Sequence, residues 1–178
     1  MKIYRRTTHE TLYKSKKTTI KETVEEAVTN KVILYRADLS GSDLSGADLN
    51  WANLGGSDLS RSNLGRVNFY RVNLSGADLS GSSLNWANLC GANLYRANLN
   101  GVSNYHESHE VFFELVRGQK TGIFTAEEWG IIGILVIHRL CWETIKKRFG
   151  KSILPIFRKV ADAGFGEYLK RYEEILGE

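Results

Sequence analysis

Counting in fives from Leu39 to Leu99 meets a large apolar residue at every step, twelve Leu and Phe69. A helix face repeats near 3.6 residues and a strand face at two, so neither accounts for this period. The other positions are ordered too. Two before each centre stands Ala, Ser or Val, and one before it stands Asp or Asn at twelve of the thirteen units, Ser83 being the exception. The two positions after the centre vary: Ser-Gly, Asn-Trp, Ser-Arg, Tyr-Arg, Cys-Gly. Thirteen units in register, without insertion, point to a repeat architecture in which like units stack.

The pattern sorts the side chains. Along an extended chain, alternate residues share a face. The constant Leu or Phe must therefore face a core, and the small residue two before it shares that face and lets walls approach. The Asp/Asn and the two variable positions are expected to face solvent. Gly at the second variable position (41, 46, 56, 76, 81, 91 and 101) suits a sharp corner. Each unit is then one short wall and one corner, and stacked walls pair their backbones about 4.8 Å apart. The spacing alone leaves open whether three, four or five walls close a coil.

Tandem A(D/N)LXX units from Ala37 to Leu99 resemble the pentapeptide-repeat family. The resemblance implies a right-handed quadrilateral β-helix, a mainly β solenoid of four walls and twenty residues per coil. On that basis thirteen units make three and a quarter coils, roughly 16 Å tall, and the segment 35–104 makes about three and a half. Both ends of such a stack expose a sheet edge and an apolar lumen, and both need covering.

Three segments follow. Residues 1–34 form an amino-terminal hairpin (KIYRR–TTHE–TLYKS) and capping helix, the helix opening at Thr18-Thr19 with Ile20, Val24, Ala27 and Val28 on one face and Asn30 as its stop. Residues 35–104 are the solenoid. After Gly101 the pattern breaks, with Asn104 at the next Leu position, and 105–178 read as a carboxy-terminal α-helical bundle. Ser108 is placed to cap a helix to Arg117. Thr125-x-x-Glu128 is a capping box opening a helix through about Phe149, and Ser152 precedes a helix with Pro155 in its first turn. Gly164 and Gly166 interrupt before a last helix ending near Leu176. WGIIGILVIHRLCW is apolar almost all round, so its helix is expected to be buried in the bundle or at an interface, and a homodimer through these helices is expected. The order of hairpin, short helix and repeats, together with the tail LVIHRLCWETIKKRFG, resembles pentapeptide proteins of phage and prophage type.

Chemistry is sparse. The net charge of +4 arises wholly within residues 1–34, while 35–104 hold five charges of each sign and 105–178 eleven of each. Arg5, Arg6, Lys14, Lys16 and Lys17 read as a solvated end, which disfavours nucleic acid as a partner. Neither a secretory leader nor an apolar run long enough to span a bilayer is evident, and two separated cysteines, Cys90 and Cys141, fit a reducing cytoplasm. His106 and His109, beside Glu107 and Glu110, lack a second cluster to complete a metal site. Cys141 reads as core, and Cys90 has no base beside it. No phosphate loop, carboxylate pair or triad pattern is found. Asp38, Asp58 and Asp78, twenty apart, stack in one column as the repeat dictates. The expectation is a non-enzymatic protein without cofactor or metal.

Information then lies in the outward residues. Taken modulo twenty, Trp51 and Arg71 share one column and Arg66 and Trp86 the next, so each Trp is expected to stack with an Arg one coil away. Tyr70 shares the column beside Trp51 with Asn50 and Cys90, and Tyr35-Arg36 and Tyr95-Arg96 share another wall. Trp51, Arg66, Tyr70, Arg71, Trp86, Tyr95 and Arg96 are therefore the candidate partner-binding residues, being of types that dominate protein interfaces. The expected function is protein–protein interaction with an unidentified protein, as a phage or prophage accessory acting on a host protein. Two alternatives stand beside it. One is DNA mimicry, as in family members that inhibit type II topoisomerases, but that needs a long negative rod, and here 35–104 is formally neutral. The other is a nucleotide-binding or enzymatic site between solenoid and bundle.

Overall fold

Backbone bridges between residues twenty apart define the solenoid. The computed structural model describes residues 1–105, 111, 123–138 and 142–177. In it, parallel bridges run in four columns, from Asp38 through Asp58 and Asp78 to Asn98, from Asp43 to Ser103, from Asp48 to Asn88 and from Asn53 to Asn93. Four columns mean four walls per coil. Leu39 N–H donates to Asp58 O at 2.8 Å and Asp58 N–H to Ala37 O at 2.9 Å, and this pairing repeats unit by unit. At each corner the residue after it donates back three positions, as Ser42 N–H does to Leu39 O, closing a tight turn.

The interior follows the periodicity. Every centre from Leu39 to Leu99 is buried, and so are most of the small residues beside them, although Ser42, Ala87, Ala92 and Ala97 are half-exposed. Each buried Leu contributes roughly 2 kcal/mol of transfer free energy. Ser57 and Ser62 enter the lumen by donating their hydroxyls to the carbonyls of Leu54 and Leu59. The ladder runs one step past the Leu series: Val102 is buried in a small-residue position and Ser103 bridges Ser83.

Strands β1 (Lys2–Arg5) and β2 (Thr11–Lys14) form the hairpin, with an irregularity between Ile3 and Tyr4. β1 also pairs antiparallel with β3 (Ala37–Asp38), which gives that edge of the first wall a partner. Helix α1 (Ile20–Thr29) starts at Thr19, whose hydroxyl accepts from Glu22 N–H and donates to the Glu22 carboxylate. Its buried residues are Thr23, Val24 and Ala27, while Ile20 and Val28 are half-buried, so the apolar face is turned from the one expected. Thr23 is tolerated because its hydroxyl donates to Thr19 O. The left-handed stop is Lys31 (φ 57°) instead of Asn30. Lys31 N–H donates to Val28 O and Val32 N–H to Ala27 O, the paired bonds of a Schellman motif.

The chain divides into two compact units, Met1–Glu110 and Val111–Glu178. Within the second, α2 (Ala126–His138) and α3 (Trp142–Phe149) occupy the stretch expected as one helix, residues 139–141 lying outside the described set. The capping box forms: Glu128 N–H donates to Thr125 Oγ1, and Thr125 N–H to the Glu128 carboxylate at 2.7 Å. A 3-10 turn (Gly150–Ile153) leads into α4 (Leu154–Asp162), and α5 (Glu167–Leu176) closes the unit. Ser152 does not cap α4; it lies inside the 3-10 turn and donates to Phe149 O. Trp142, Phe157, Tyr168 and Tyr172 form an aromatic cluster with centroids 5.3–6.5 Å apart. Tyr172 donates its hydroxyl to Gly150 O, and burial raises its pKa. The helix from Ser108 to Arg117, with His106 and His109, and Cys141 lie outside the described residues.

Candidate interaction surface

Each corner holds its last residue in the left-handed region. From 31 to 101 in fives, every corner has φ between 53° and 72°. Glycine adopts this conformation freely; for other residues it costs roughly 1–2 kcal/mol, and Asn or Asp bear it best. Yet from 36 to 101 the corner residues are seven Gly, five Arg and two Trp, with no Asn or Asp. All five basic residues of 35–104 stand at these corners: Arg36, Arg61, Arg66, Arg71 and Arg96.

The Asp/Asn residues do more than face solvent. Each accepts the backbone N–H two residues on, as Asp58 does from Ser60 at 3.0 Å, and so braces the approach to the corner. They also bond between coils: Asn63 Nδ2 donates to Asp43 at 3.1 Å, Asn68 to Asp48 at 2.8 Å, Asn73 to Asn53 at 3.1 Å and Asn98 to Asp78 at 3.0 Å. Asp43 and Asp48 are held below the usual carboxylate range, Asp43 chiefly by the Ser45 hydroxyl and Asp48 chiefly by the Asn50 amide. For Asp78 burial opposes ionisation, but donors from Ser80, the Arg6 guanidinium and Asn98 outweigh it and lower the pKa.

Two of the basic residues expected to be solvated have partners. Arg5 Nε lies 3.3 Å from Glu10. Arg6 Nε lies 3.1 Å from Asp58 and its NH2 group 3.4 Å from Asp78, so one cation bridges two stacked carboxylates. Nothing in the five-residue pattern indicates that pairing, because it joins residues 72 apart.

The structure brings some candidate residues together and leaves others apart. Arg71 Cζ lies 4.9 Å from the Trp51 ring centroid and 5.2 Å from that of Tyr70, and the two rings meet edge-on at 6.0 Å. Arg96 lies over Tyr95 at 5.1 Å and Arg36 over Tyr35 at 5.3 Å. Arg66 and Trp86 do not stack as expected. Cγ of Arg36, Arg61 and Arg71 lies 3.2, 3.6 and 3.1 Å from where a Cβ would stand on Gly56, Gly81 and Gly91, one coil on, whereas Arg66 has Trp86 at the equivalent place. Trp51 and Trp86 are 62% and 70% exposed, far from the burial expected of structural tryptophans.

Two clefts flank the wall that runs from the Trp51 corner to the Gly56 corner. One, of about 280 Å³, is lined by Val28, Lys31, Val32, Ile33 and Trp51–Asn53. The other, of about 530 Å³, is lined by Arg6, Thr7, Tyr35, Arg36, Gly56, Ser75 and Gly76. Lys31 and Ile33 were not among the residues the sequence nominated. Their signal was the same modulo-twenty column, since 31 precedes 51 and 33 precedes 53, but they stand before the first recognisable unit. Among the described residues no group of His, Cys, Asp or Glu is placed to hold a metal ion, and no helix is long and apolar enough to cross a membrane.

A family model for pentapeptide repeats matches residues 33–69 and 68–103. Among solved structures, a pentapeptide repeat protein from Nostoc PCC 7120 is 33% identical, covering 50% of this chain and 78% of its own, with a TM-score of 0.41. A pentapeptide repeat protein of the Arabidopsis thaliana thylakoid lumen is 39% identical over 31% of this chain and 39% of its own, with a TM-score of 0.30. HetL, a pentapeptide repeat protein involved in heterocyst differentiation regulation in Nostoc, is 33% identical over 36% and 37% of the two chains, with a TM-score of 0.21. No curated protein matches the sequence. The family match across 33–103 makes that segment a run of pentapeptide repeats.

Proposed function

We propose that this chain is a non-enzymatic interaction protein whose solenoid corners recognise a protein partner through Trp51, Arg66, Tyr70, Arg71, Trp86, Tyr95 and Arg96. The observation that carries the reading is the corner series. Where glycine is the relaxed choice, Arg or Trp stands at seven of fourteen corners, in a conformation that costs them energy. Strain held at exposed positions, with side chains of the hot-spot types, supports recognition over folding. Pentapeptide-repeat proteins are generally interaction modules, which agrees. The fuller reading is a cytoplasmic phage or prophage accessory acting on a host protein, supported by the order hairpin, helix, repeats and helical unit. The test is capture of partners from the native host extract, followed by titration of the captured protein against the double variant Trp51→Gly, Trp86→Gly. We expect weakening by roughly a thousandfold if two hot-spot losses add. Unchanged affinity removes the corners from the function.

The same reading includes a homodimer through the helical unit. Its support is Trp129, half-exposed on α2 beside buried Ile132 and Leu135. Light scattering on the full chain and on Trp129→Glu tests it. A monomeric parent protein at micromolar concentration ends it.

A further inference from the structure

Of the four walls, three carry carboxylates: Asp38, Asp58 and Asp78 on one, Asp43 on the next, Asp48 on the third. The fourth, built from 52–55, 72–75 and 92–95 and continued by 32–35, has neither Asp nor Glu. Its edges are the two most cationic corner columns, Lys31–Trp51–Arg71–Gly91 and Arg36–Gly56–Gly76–Arg96. The nearest carboxylates beyond the second edge, Asp58 and Asp78, share Arg6. Lys31, Arg36 and Arg71 therefore edge a wall that has no carboxylate of its own, on a solenoid whose formal charge is zero.

Shape agrees with charge. Ile33, 64% exposed, stands in the column that the Asn ladder continues through Asn53, Asn73 and Asn93. With Val28, Val32, Trp51 and Ala52 it gives the 280 Å³ cleft its apolar part, beside the polar groups of Lys31, Asn50 and Asn53. The 530 Å³ cleft at the other edge is lined by Arg36, Tyr35 and small residues. Gly55 and Gly56 open this edge: a Cβ on Gly55 would come 3.2 Å from Tyr35 Cδ2, and one on Gly56 3.2 Å from Arg36 Cγ. The two clefts are one wall apart, four residues or about 13 Å of extended chain.

We propose that this acid-free wall binds an extended, acidic polypeptide segment of the partner. One large apolar side chain of the segment enters the cleft between Ile33 and Trp51. Carboxylates before and after it pair with Lys31 and Arg71 at one edge and with Arg36 at the other. Guanidinium groups already laid over aromatic rings are fixed in place, so they lose little freedom on binding a carboxylate. Val28, Val32, Ile33 and Ala52 give the first cleft an aliphatic part that suits an apolar side chain, which favours a polypeptide over a nucleic acid. This proposal rests on the interaction reading above and narrows it to one face.

The test uses the full chain and a fluorescein-labelled peptide with one central Phe flanked by glutamates, its counterpart with Gln for Glu, and oligo-dT. Anisotropy should show the acidic peptide binding, weakening as salt rises, and binding better than the Gln peptide. Arg71→Gly and Ile33→Ser should each weaken it about tenfold, while Arg61→Gly, on another corner, should leave it unchanged. Arg71→Gly retains the fold because glycine suits that corner, and Ile33→Ser changes an exposed residue. The proposal is overturned if the acidic peptide does not bind, if either variant binds it like the parent, or if oligo-dT displaces it. A captured partner lost by Trp86→Gly and kept by Ile33→Ser also overturns it, yet leaves the interaction reading standing.

Discussion

The lumen and the corners of the solenoid lie within a few ångströms of each other and follow different rules. At the thirteen lumen centres the chain uses Leu twelve times and Phe once, and every one is buried. At the corners it alternates between the residue that fits best, glycine, and residues that fit poorly, Arg and Trp. Burial and bonding explain the lumen, with Ser82 the exception. They do not explain the corners, where half the residues raise the energy of the folded chain. The contrast separates positions that make the solenoid from positions the solenoid displays.

The largest effect comes from breaking the inner rule. Leu64→Asp places a carboxylate among Leu residues with no donor to meet it, and we expect a loss of several kcal/mol or failure to fold. The neighbouring Asn63→Asp removes the amide that donates to Asp43 and sets two carboxylates one coil apart. That change should cost about 1 kcal/mol and less at low pH, where the repulsion is discharged. Urea melts of both variants decide it; equal losses contradict the division into inside and outside.

A smaller effect comes from the stacked carboxylates. Asp78 has a lowered pKa in the folded chain, so its stabilising contribution is present above the ordinary value of 3.8 and is lost as pH falls through the folded value. Arg6→Ala removes one of the groups that lower it. The Asp78 titration, followed by carboxyl-carbon NMR, should shift upward, and the acid limb of a stability profile should move to higher pH with it. An unmoved titration means that the Ser80 and Asn98 donors set this carboxylate without Arg6. At neutral pH the loss should be at most about 1 kcal/mol, since Arg6 is partly exposed.

How legible each part was follows from its physics. Inward residues and the position of the corners could be read because each is repeated thirteen times and serves one purpose, whereas the columns twenty apart came from the family resemblance, since the spacing alone left three, four or five walls open. The Trp51–Arg71 contact was legible from the column arithmetic, whereas the failure of Arg66 and Trp86 to stack was not. The order within the column differs, Trp before Arg in one and Arg before Trp in the other, and a residue count does not show which order stacks. The Asn ladder was missed because Asp and Asn were read as solvated, when their oxygens serve the next turn and the Asn amides donate to the preceding coil. In the second unit the Thr125–Glu128 box was legible as a local motif. The aromatic cluster around Trp142 and Tyr172 was not, since it joins residues distant in sequence through tertiary packing alone.

Exchanging residues at the corners sharpens the comparison directly. Arg61 has Gly41 and Gly81 for column neighbours, so no aromatic ring complicates the result. Arg61→Gly should raise stability by about 0.5–1 kcal/mol, the relief of left-handed strain less the extra freedom of glycine in the unfolded chain. The reverse change, Gly76→Arg, enters open space at φ 65° and should cost about 1 kcal/mol for the conformation alone. If Arg61→Gly destabilises by a similar amount, corner arginines are structural and the displayed-residue argument loses its footing.

The smallest expected effect tests the lumen where its own rule lapses. Ser57, Ser62 and Ser82 are buried serines in equivalent small-residue positions. The first two donate their hydroxyls to a carbonyl three residues back, whereas Ser82 Oγ has no hydrogen-bond partner. A buried hydroxyl without a partner loses its bonds to water and gains nothing in return. Alanine fits the same space, as Ala77 shows by lying fully buried in an equivalent position. Ser82→Ala should therefore stabilise the chain by about 0.5 kcal/mol, while Ser62→Ala, which gives up a bond, should be neutral or cost a similar amount. Because the carbonyl of Leu59 keeps its bond from Ser62 N–H, no acceptor is orphaned in that second variant. Thermal melts of the two alanine variants beside the parent make the comparison. Opposite signs support the hydroxyl assignments, and a loss in Ser82→Ala shows that this side chain bonds within the lumen after all.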